Sequence, residues 1–166
     1  PPRSTLFPYT TLFRSVFQFC AILRSVDLQE LSDRAEITDV LVRYTRAIDT
    51  GDWDRLDTVF TPDARIDYTE SGGIAGGFPE VKPWLAEMLP AFFPLRMHTL
   101  GQVEIRLDGD AAEVSAYFHN PMPMDDGHGG SKLVEIGGLY HHSMRRTADG
   151  WRSVRLREEV VWKQNI

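Results

Sequence analysis

The sequence is poor in cysteine, has fewer basic than acidic side chains, and contains no long apolar run. Its single cysteine, Cys20, cannot form a disulfide within the chain, which favours a reducing cytoplasm. Eighteen basic residues against 24 acidic ones give a net charge of −6. That charge, without a Lys/Arg cluster, argues against nucleic acid and anionic membranes as partners. No apolar run approaches the roughly 20 residues of a membrane-spanning helix.

Several signatures of catalytic and metal sites are also missing from the sequence. It has no Gly-x-Ser-x-Gly, Walker or Cys-x-x-Cys motif, and its glycine pairs lack the strand–glycine–helix order of a phosphate-binding loop. The acidic loop at 124–130 matches no calcium or zinc spacing. His141 and His142 are neighbours on a predicted strand, so their side chains point to opposite faces. The sequence therefore predicts no metal site.

The opening PPRSTLFPYTTLFRS has neither the apolar stretch of a signal peptide nor the amphipathic helix of a transit peptide. All fifteen residues can be read back in frame as the universal adapter of a short-read sequencing library. We therefore interpret residues 1–15 as a translated adapter from a metagenomic read and expect disorder there; a natural Pro/Thr-rich arm is the alternative. Residues 16–25 are assigned as a leader without a role, and residues 26–166 as one domain. Without Arg3 and Arg14 the net charge falls from −6 to −8.

The first half of this domain has helical periodicity. Apolar residues recur at three- and four-residue steps over 28–48, and Gly51 follows at a position suited to a left-handed helix cap. DWDRLDTVF (52–60) predicts a second, short helix, and PEVKPWLAEML (79–89) predicts a third. Between them, DARIDYT (63–69) alternates apolar and polar residues, which predicts a strand.

After Pro94 the pattern becomes that of strands joined by turns. Four strands are predicted, in MHTLGQVEIRL (97–107), AAEVSAYFHN (111–120), KLVEIGGLYHHSMRR (132–146) and WRSVRLREEVVWK (151–163). Helices first and an antiparallel meander afterwards predict an α+β fold in which the helices cover one face of the sheet. A strongly curved sheet closed by N-terminal helices would leave a pocket, which is a natural ligand site.

Position alone makes several polar side chains candidates for this pocket. Asp49 lies in the last turn of the first helix, where a carboxylate is mildly unfavourable; a solvated cap is its alternative role. His98 lies early in a strand, where a lone histidine otherwise serves as a structural hydrogen-bonding residue. Tyr44 precedes Asp49 by five residues, about 140° around the helix, so helix geometry does not imply that the two are adjacent on one face. His119 and Asn120 point to opposite faces, so only one can face the pocket.

Several segments together resemble a known family. The run ITDVLVRYTRAIDTGDWDRLDTVFTPDARIDYT, followed by PEVKPWLAEM, MHTLG and a closing DGW, is similar to SnoaL-like domains of the nuclear-transport-factor-2-like superfamily over residues 30–163. DTGDWDRL with ARIDY is especially similar to scytalone dehydratase, and RYxxxxD with MH also resembles bile-acid 7α-dehydratase. The resemblance implies a cone of curved antiparallel sheet whose mouth is closed by helices, in agreement with the order of elements above.

The resemblance also implies roles for individual residues. Asp49 and His98 match the catalytic Asp-His pair of these dehydratases. Tyr44 matches the catalytic tyrosine of the bile-acid enzyme, and Tyr68 matches a tyrosine that polarises the substrate carbonyl in the scytalone enzyme. Asn120 falls where the bile-acid enzyme has an active-site aspartate. Four residues are therefore expected to act in catalysis, namely His98, Asp49, Tyr68 and Tyr44, and four to bind substrate, namely Asn120, Trp53, Tyr140 and Phe118.

Other positions depart from the scytalone enzyme. Ile48 replaces a second tyrosine, and the second histidine of that enzyme falls near Met124. Its serine and asparagine on the next strand become approximately Gly138 and Tyr140. These differences speak against scytalone itself as the substrate.

The retained residues fit the elimination of water β to a carbonyl group. This reaction needs a base for the α-proton, an acid for the departing hydroxyl and a donor for the developing enolate. An imidazole can serve as base and then as acid, because it titrates near neutral pH. Asp49 would fix the tautomer of His98, while Tyr68 or Tyr44 would donate to the enolate oxygen. No cofactor is required for this chemistry.

The sequence and the resemblance together predict a lyase, a cytoplasmic dehydratase of a small apolar or aromatic, polyketide- or steroid-like hydroxy-carbonyl compound. The resemblance also implies a dimer or trimer formed through the outer face of the sheet. An isomerase or polyketide cyclase that uses the same pocket is one alternative. A non-catalytic ligand-binding or assembly domain is another, and it predicts that Asp49 and His98 lie too far apart to bond, or that apolar side chains fill the pocket.

Overall fold

The computed structural model describes residues 27–166. The predictions made for the adapter-like segment 1–15, for the leader 16–25 and for Cys20 lie outside the described residues. The α+β fold class expected from the sequence is confirmed: helices pack on a curved six-stranded sheet. Two of the strands lie between the two helices in the chain, and the other four follow the second helix.

Helix α1 spans Leu28–Thr50, as the periodicity of its apolar residues predicts. It begins after Asp27, whose carboxylate accepts hydrogen bonds from the main-chain N–H groups of Gln29 and Glu30. It ends at Gly51, which has a φ of 69° and is therefore the expected left-handed cap. The apolar side of the helix is buried against the sheet.

Short elements connect α1 to the rest of the chain. They are a 3-10 helix at Trp53–Thr58, strand β1 at Phe60–Asp67, a 3-10 turn at Thr69–Ser71, strand β2 at Ala75–Gly77 and helix α2 at Phe78–Phe92. The predicted short helix is thus of the 3-10 type, and β1 begins three residues before the predicted strand. Helix α2 is longer than predicted and contains two prolines beyond its first turn.

Four long strands form the predicted meander. They are β3 at Thr99–Asp108, β4 at Ala111–Asp125, β5 at Ser131–Thr147 and β6 at Gly150–Gln164. Each of these strands pairs antiparallel with the next. The turns between them are short, and Gly109 and Gly150 have the positive φ angles that tight turns favour.

The sheet is mixed and open, in the order β2-β1-β6-β5-β4-β3. Strands β1 and β6 pair in parallel, which differs from the all-antiparallel cone that the resemblance implied. A long crossover through α2 and the meander separates these two strands, so no hairpin forces them to be antiparallel. The exposed edges are β2 and β3, and β3 has a bulge between Gly101 and Glu104 with a φ of 36° at Gln102.

The core lies between the concave face of the sheet and the two helices. One ion pair ties α1 to this sheet: the Arg146 guanidinium donates two hydrogen bonds of 2.6 Å to Asp33. The Trp151 indole N–H donates a third bond of 3.2 Å to the same carboxylate. These donors hold the pKa of Asp33 well below its ordinary value. Among the helices within 27–166, none is long and apolar enough to span a membrane.

Candidate functional site

A cavity of about 310 Å³ lies between the concave face of the sheet and the helices. Its walls are mostly apolar, with Trp84, Leu85 and Met88 contributed by α2 and Met122, Val134 and Ile136 contributed by the sheet. A small number of polar side chains interrupt these walls. Such a combination of apolar walls and few polar groups is typical of sites for small organic ligands.

The histidine at the wall of this cavity lies just before β3, not within a strand as predicted, and it is hydrogen-bonded to the aspartate in the last turn of α1. His98 Nδ1 lies 2.6 Å from Asp49 Oδ1, and the two side chains are only 7% and 13% exposed. The main-chain N–H of His98 also donates to both carboxylate oxygens, at 3.1 and 3.2 Å. Arg96 holds the same segment by donating to the carbonyl oxygen of Ile48 at 3.0 Å.

This arrangement determines which ring nitrogen is free for a ligand. Because the Asp49 carboxylate accepts the hydrogen bond, His98 Nδ1 carries a proton and Nε2 is left as an acceptor. His98 lines the cavity, and its Nε2 has no hydrogen-bond partner among residues 27–166. The free nitrogen is therefore available to take a proton from a bound molecule.

Two tyrosine hydroxyls meet on another wall of the cavity. The Tyr44 and Tyr68 oxygens are 2.8 Å apart, and both side chains are buried. Burial raises the pKa of each phenol well above its ordinary value, so both are neutral donors at physiological pH. Tyr44 and Asp49 do not share a face of α1; Tyr44 faces the cavity, whereas Asp49 contacts the segment before β3.

Asn120 and Tyr140 form a second polar pair at the cavity. The Asn120 amide donates to the Tyr140 hydroxyl at 2.9 Å, and the Asn120 Oδ1 atom has no partner among the described residues. Its neighbour His119 points to the outer face, where its ring bonds to Glu135 at 3.0 Å. As expected from strand alternation, only one of these adjacent residues faces the cavity.

Two of the residues expected to bind substrate do not line the cavity. Trp53 lies beside Arg96, whose guanidinium is 5.9 Å from the centre of the indole ring. Phe118 stacks on the ring of Tyr140, with a centroid separation of 4.2 Å. Phe118 therefore supports a cavity residue without reaching the cavity itself.

Glu158 is a cavity residue that the sequence patterns did not single out. It is 5% exposed, lines the cavity and accepts a hydrogen bond of 2.6 Å from the Ser71 hydroxyl. Burial raises its pKa to about 7, against the opposing effect of that hydrogen bond. The alternation Leu156-Arg-Glu158-Glu-Val160 was the available signal, because it places one carboxyl on an otherwise apolar face.

A second histidine, His142, is buried in the core. His142 is fully buried, and its Nδ1 lies 2.9 Å from the Ser153 hydroxyl. Burial lowers the pKa of His142 to about 3, so this ring is neutral at physiological pH. Within 27–166, no three His, Cys, Asp or Glu side chains are grouped so that they could hold a metal ion.

Comparison with known sequences identifies the family. The model of the SnoaL-like domain matches residues 29–157. Rv2910c, an uncharacterised protein of Mycobacterium tuberculosis, is 45% identical over 139 residues, which cover 82% of this chain and 92% of that protein. The uncharacterised protein Mb2934c of Mycobacterium bovis matches to the same extent.

Solved structures share the fold at low sequence identity. A nuclear transport factor 2-like protein from Salmonella enterica has a TM-score of 0.69 at 18% identity, covering 82% of this chain and 96% of that one. The hexachlorocyclohexane dehydrochlorinase LinA-type3 from Novosphingobium barchaimii has a TM-score of 0.74 at 17% identity, with coverages of 84% and 94%. A scytalone-dehydratase-like protein from Novosphingobium aromaticivorans has a TM-score of 0.72 at 14% identity, with coverages of 82% and 89%.

The open sheet over two helices is the architecture that the Salmonella protein shares. The family match over residues 29–157, together with the 45% identical relative, shows that the chain belongs to the SnoaL-like family.

Proposed function

We propose that this protein is a cofactor-independent dehydratase that removes water from a small hydroxy-carbonyl compound. The observation that carries the proposal is the 2.6 Å hydrogen bond between Asp49 and His98 at the wall of an apolar cavity. An imidazole held by a carboxylate on one nitrogen, with the other nitrogen free, is the usual arrangement of a general base.

The proposed reaction begins with the substrate carbonyl against the tyrosine pair. His98 Nε2 takes the α-proton, and Asp49 stabilises the imidazolium that forms. The hydroxyls of Tyr44 and Tyr68 are hydrogen-bonded to each other at 2.8 Å, and one of them would donate to the enolate oxygen. The enolate then expels the β-hydroxyl group, which leaves as water, and a conjugated carbonyl compound remains.

The cavity supports a substrate of apolar or aromatic character. Its volume of about 310 Å³ and its Met, Leu and Trp walls favour a compact ring system. Two solved structures of the same fold bear the names of a dehydrochlorinase and a scytalone dehydratase, and both names denote eliminations. The cytoplasmic location and the oligomeric state expected from the sequence stay predictions.

Two observations disfavour the non-catalytic alternative. That alternative requires either a separated Asp49 and His98 or a cavity filled by side chains, whereas the two side chains are 2.6 Å apart and the cavity is open. An isomerase or cyclase would use the same base and the same enolate donors. Product mass separates these reactions, because a dehydratase product is lighter by one water molecule and an isomerase product has unchanged mass.

A metabolite screen by mass spectrometry tests the proposal. Purified protein is incubated with a cell extract, and the His98→Ala variant is the blank. We expect wild-type protein to convert at least one hydroxy-carbonyl compound to a product lighter by water. Loss of the base should lower turnover by a factor of about 100 or more.

The matched control is His119→Ala, because His119 lies on the outer face of the sheet and contacts Glu135. This variant should retain wild-type turnover. Full activity in His98→Ala would contradict the role of His98 as the base. A product of unchanged mass would show that the reaction is an isomerisation and not a dehydration.

A further inference from the structure

Glu158 faces the candidate site from the strand at the centre of the sheet. Strand β6 places it directly opposite Tyr140 of β5 in register, and both side chains line the cavity. The 3-10 turn before β2 supplies Ser71, whose hydroxyl donates to the Glu158 carboxyl at 2.6 Å. The carboxyl is therefore held in one position by a short hydrogen bond, inside the volume that a substrate would occupy.

Within residues 27–166 no cation is bonded to the carboxyl of Glu158, although Lys132 and His98 line the same cavity. No Lys, Arg or His among residues 27–166 forms an ion pair with it, and Arg157 beside it on the strand bonds instead to Glu70 and Glu159. The other buried carboxyl, Asp33, shows the contrast, because a guanidinium and an indole N–H satisfy both of its oxygens. A buried carboxyl that lacks such partners retains its proton more readily.

The proposed dehydration needs a proton for the departing hydroxyl in addition to a base and an enolate donor. We propose that Glu158, held by Ser71, is the general acid that protonates the leaving hydroxyl group. This inference rests on the proposed dehydration. His98 then acts as the base alone, and the two residues are separate catalytic groups of one cavity.

The proton balance of this step closes without an oxidant or a reductant. His98 Nε2 removes the α-proton, and the electron pair of the C–H bond becomes the enolate, whose oxygen accepts a bond from Tyr44 or Tyr68. As the C–O bond at the β-carbon breaks, its electrons go to oxygen, which takes the Glu158 proton and leaves as water. The imidazolium afterwards returns its proton to the Glu158 carboxylate through a water molecule.

The groups that face Glu158 disfavour its ionised form. Tyr44 from α1, Tyr68 after β1 and Tyr140 from β5 are neutral, and the negative charge of Glu70 in the neighbouring turn adds repulsion. Lys132 of β5 and His98 before β3 also line the cavity, but neither is bonded to Glu158. The Ser71 hydroxyl acts in the opposite direction. The pKa of about 7 that results leaves a large protonated fraction at neutral pH, as a general acid requires.

The first test needs no substrate. Infrared difference spectra between wild-type protein and Glu158→Gln report the C=O stretch of the protonated Glu158 carboxyl. We expect this band at low pH and its loss with a midpoint near pH 7. A carboxyl that is already ionised at about pH 5, as an ordinary glutamate is, would overturn the inference.

The second test uses the substrate that the screen identifies and its β-chloro analogue. Glu158→Gln should lower kcat for the hydroxy compound by about 100-fold and abolish the fall of kcat/KM above pH 7. Chloride leaves without a proton, so turnover of the chloro analogue should stay within a few-fold of wild type. A variant that merely distorts the cavity would slow both substrates equally, and that result would overturn the assignment.

Glu159→Gln is the matched control, because Glu159 is the next residue and bonds to Arg157 and His141 outside the cavity. It should behave as wild type. If His98→Ala is inactive but Glu158→Gln is fully active, the role of Glu158 as general acid is wrong and the proposed dehydration stands. If His98→Ala is active, the proposed function itself is wrong.

Discussion

At the scale of single residues, Asp49 combines two tasks in one carboxylate. It orients the His98 ring and also accepts hydrogen bonds from the main-chain N–H of the same residue. A carboxylate at a helix C-terminus is unfavourable in isolation, because it lies at the negative end of the helix dipole. Here the donors from His98 offset that cost, so the unfavourable position of Asp49 was itself a sign of a specific partner.

Glu158 makes a prediction about stability that does not depend on a substrate. Its pKa rises from 4.5 to about 7 on folding, so the native state binds more protons than the unfolded state between these values. The resulting stabilisation is complete below about pH 4.5 and is lost as the pH rises through 7. Between about pH 5 and pH 8, we expect wild-type protein to lose about 2 kcal/mol of unfolding free energy relative to Glu158→Gln.

Urea denaturation of both proteins across this pH range measures the effect. His142 changes stability in the opposite direction, because burial lowers its pKa to about 3 and its stabilising contribution is lost as the pH falls below about 6.5. That contribution is common to both proteins and cancels in the difference between them. A difference that does not vary with pH would show that Glu158 is ionised in the folded protein.

At the scale of elements, strands β5 and β6 approach closely at a bulge beside the cavity. The pairing register shifts between Gly137 and Gly138. A Cβ atom added at Gly138 would overlap the main-chain carbonyl oxygen of Glu159, which cannot move without breaking the pairing. The serine that the resemblance to scytalone dehydratase implies at about this position would therefore not fit this backbone.

Gly138→Ala should accordingly destabilise the fold by more than about 2 kcal/mol, because the backbone has to shift at the centre of the sheet. Gly101→Ala is the matched control: it also lies at a bulge, but no atom lies within 4 Å of its added Cβ. Urea midpoints of the two variants against wild type measure the difference. Equal midpoints for all three proteins would contradict the close approach of β5 and β6.

Local patterns predicted most helices and strands, whereas the pairing of strands that are distant in sequence could not be predicted from them. Helix α1 and the meander follow from periodicity and turn residues within each segment. The parallel contact of β1 with β6 joins residues about 90 positions apart, and no local pattern encodes it. Glu158 was missed for the same reason, because its significance comes from Ser71 and Tyr140 on other elements.

At the scale of the whole molecule, the outer face of the sheet exposes large apolar side chains. Tyr117, Leu133 and Trp162 are each close to half exposed, and the Trp162 ring lies 5.5 Å from that of His119. Such groups on a convex sheet face are typical of surfaces through which subunits associate. This face is where the resemblance implies that a dimer or trimer forms.

Replacing Tyr117 and Trp162 together by glutamate should convert such an oligomer to a monomer, because the contact would have to bury new charges. Size-exclusion chromatography with light scattering measures the mass of both proteins. The double variant should also keep its far-UV circular dichroism spectrum, since both side chains lie outside the core. If the double variant keeps the oligomer mass of wild type, the interface lies elsewhere. If wild-type protein is a monomer, the prediction of an oligomer is wrong.

The bulged edge strand β3 limits how copies of this chain can assemble. Its outermost backbone is interrupted at Gln102 and flanked by the charged side chains of Glu104, Arg106 and Asp108. Bulges and charges of this kind prevent a further strand from adding to a sheet edge. We therefore expect that subunits do not extend the sheet through β3, and that any association uses a face of the sheet instead of this edge.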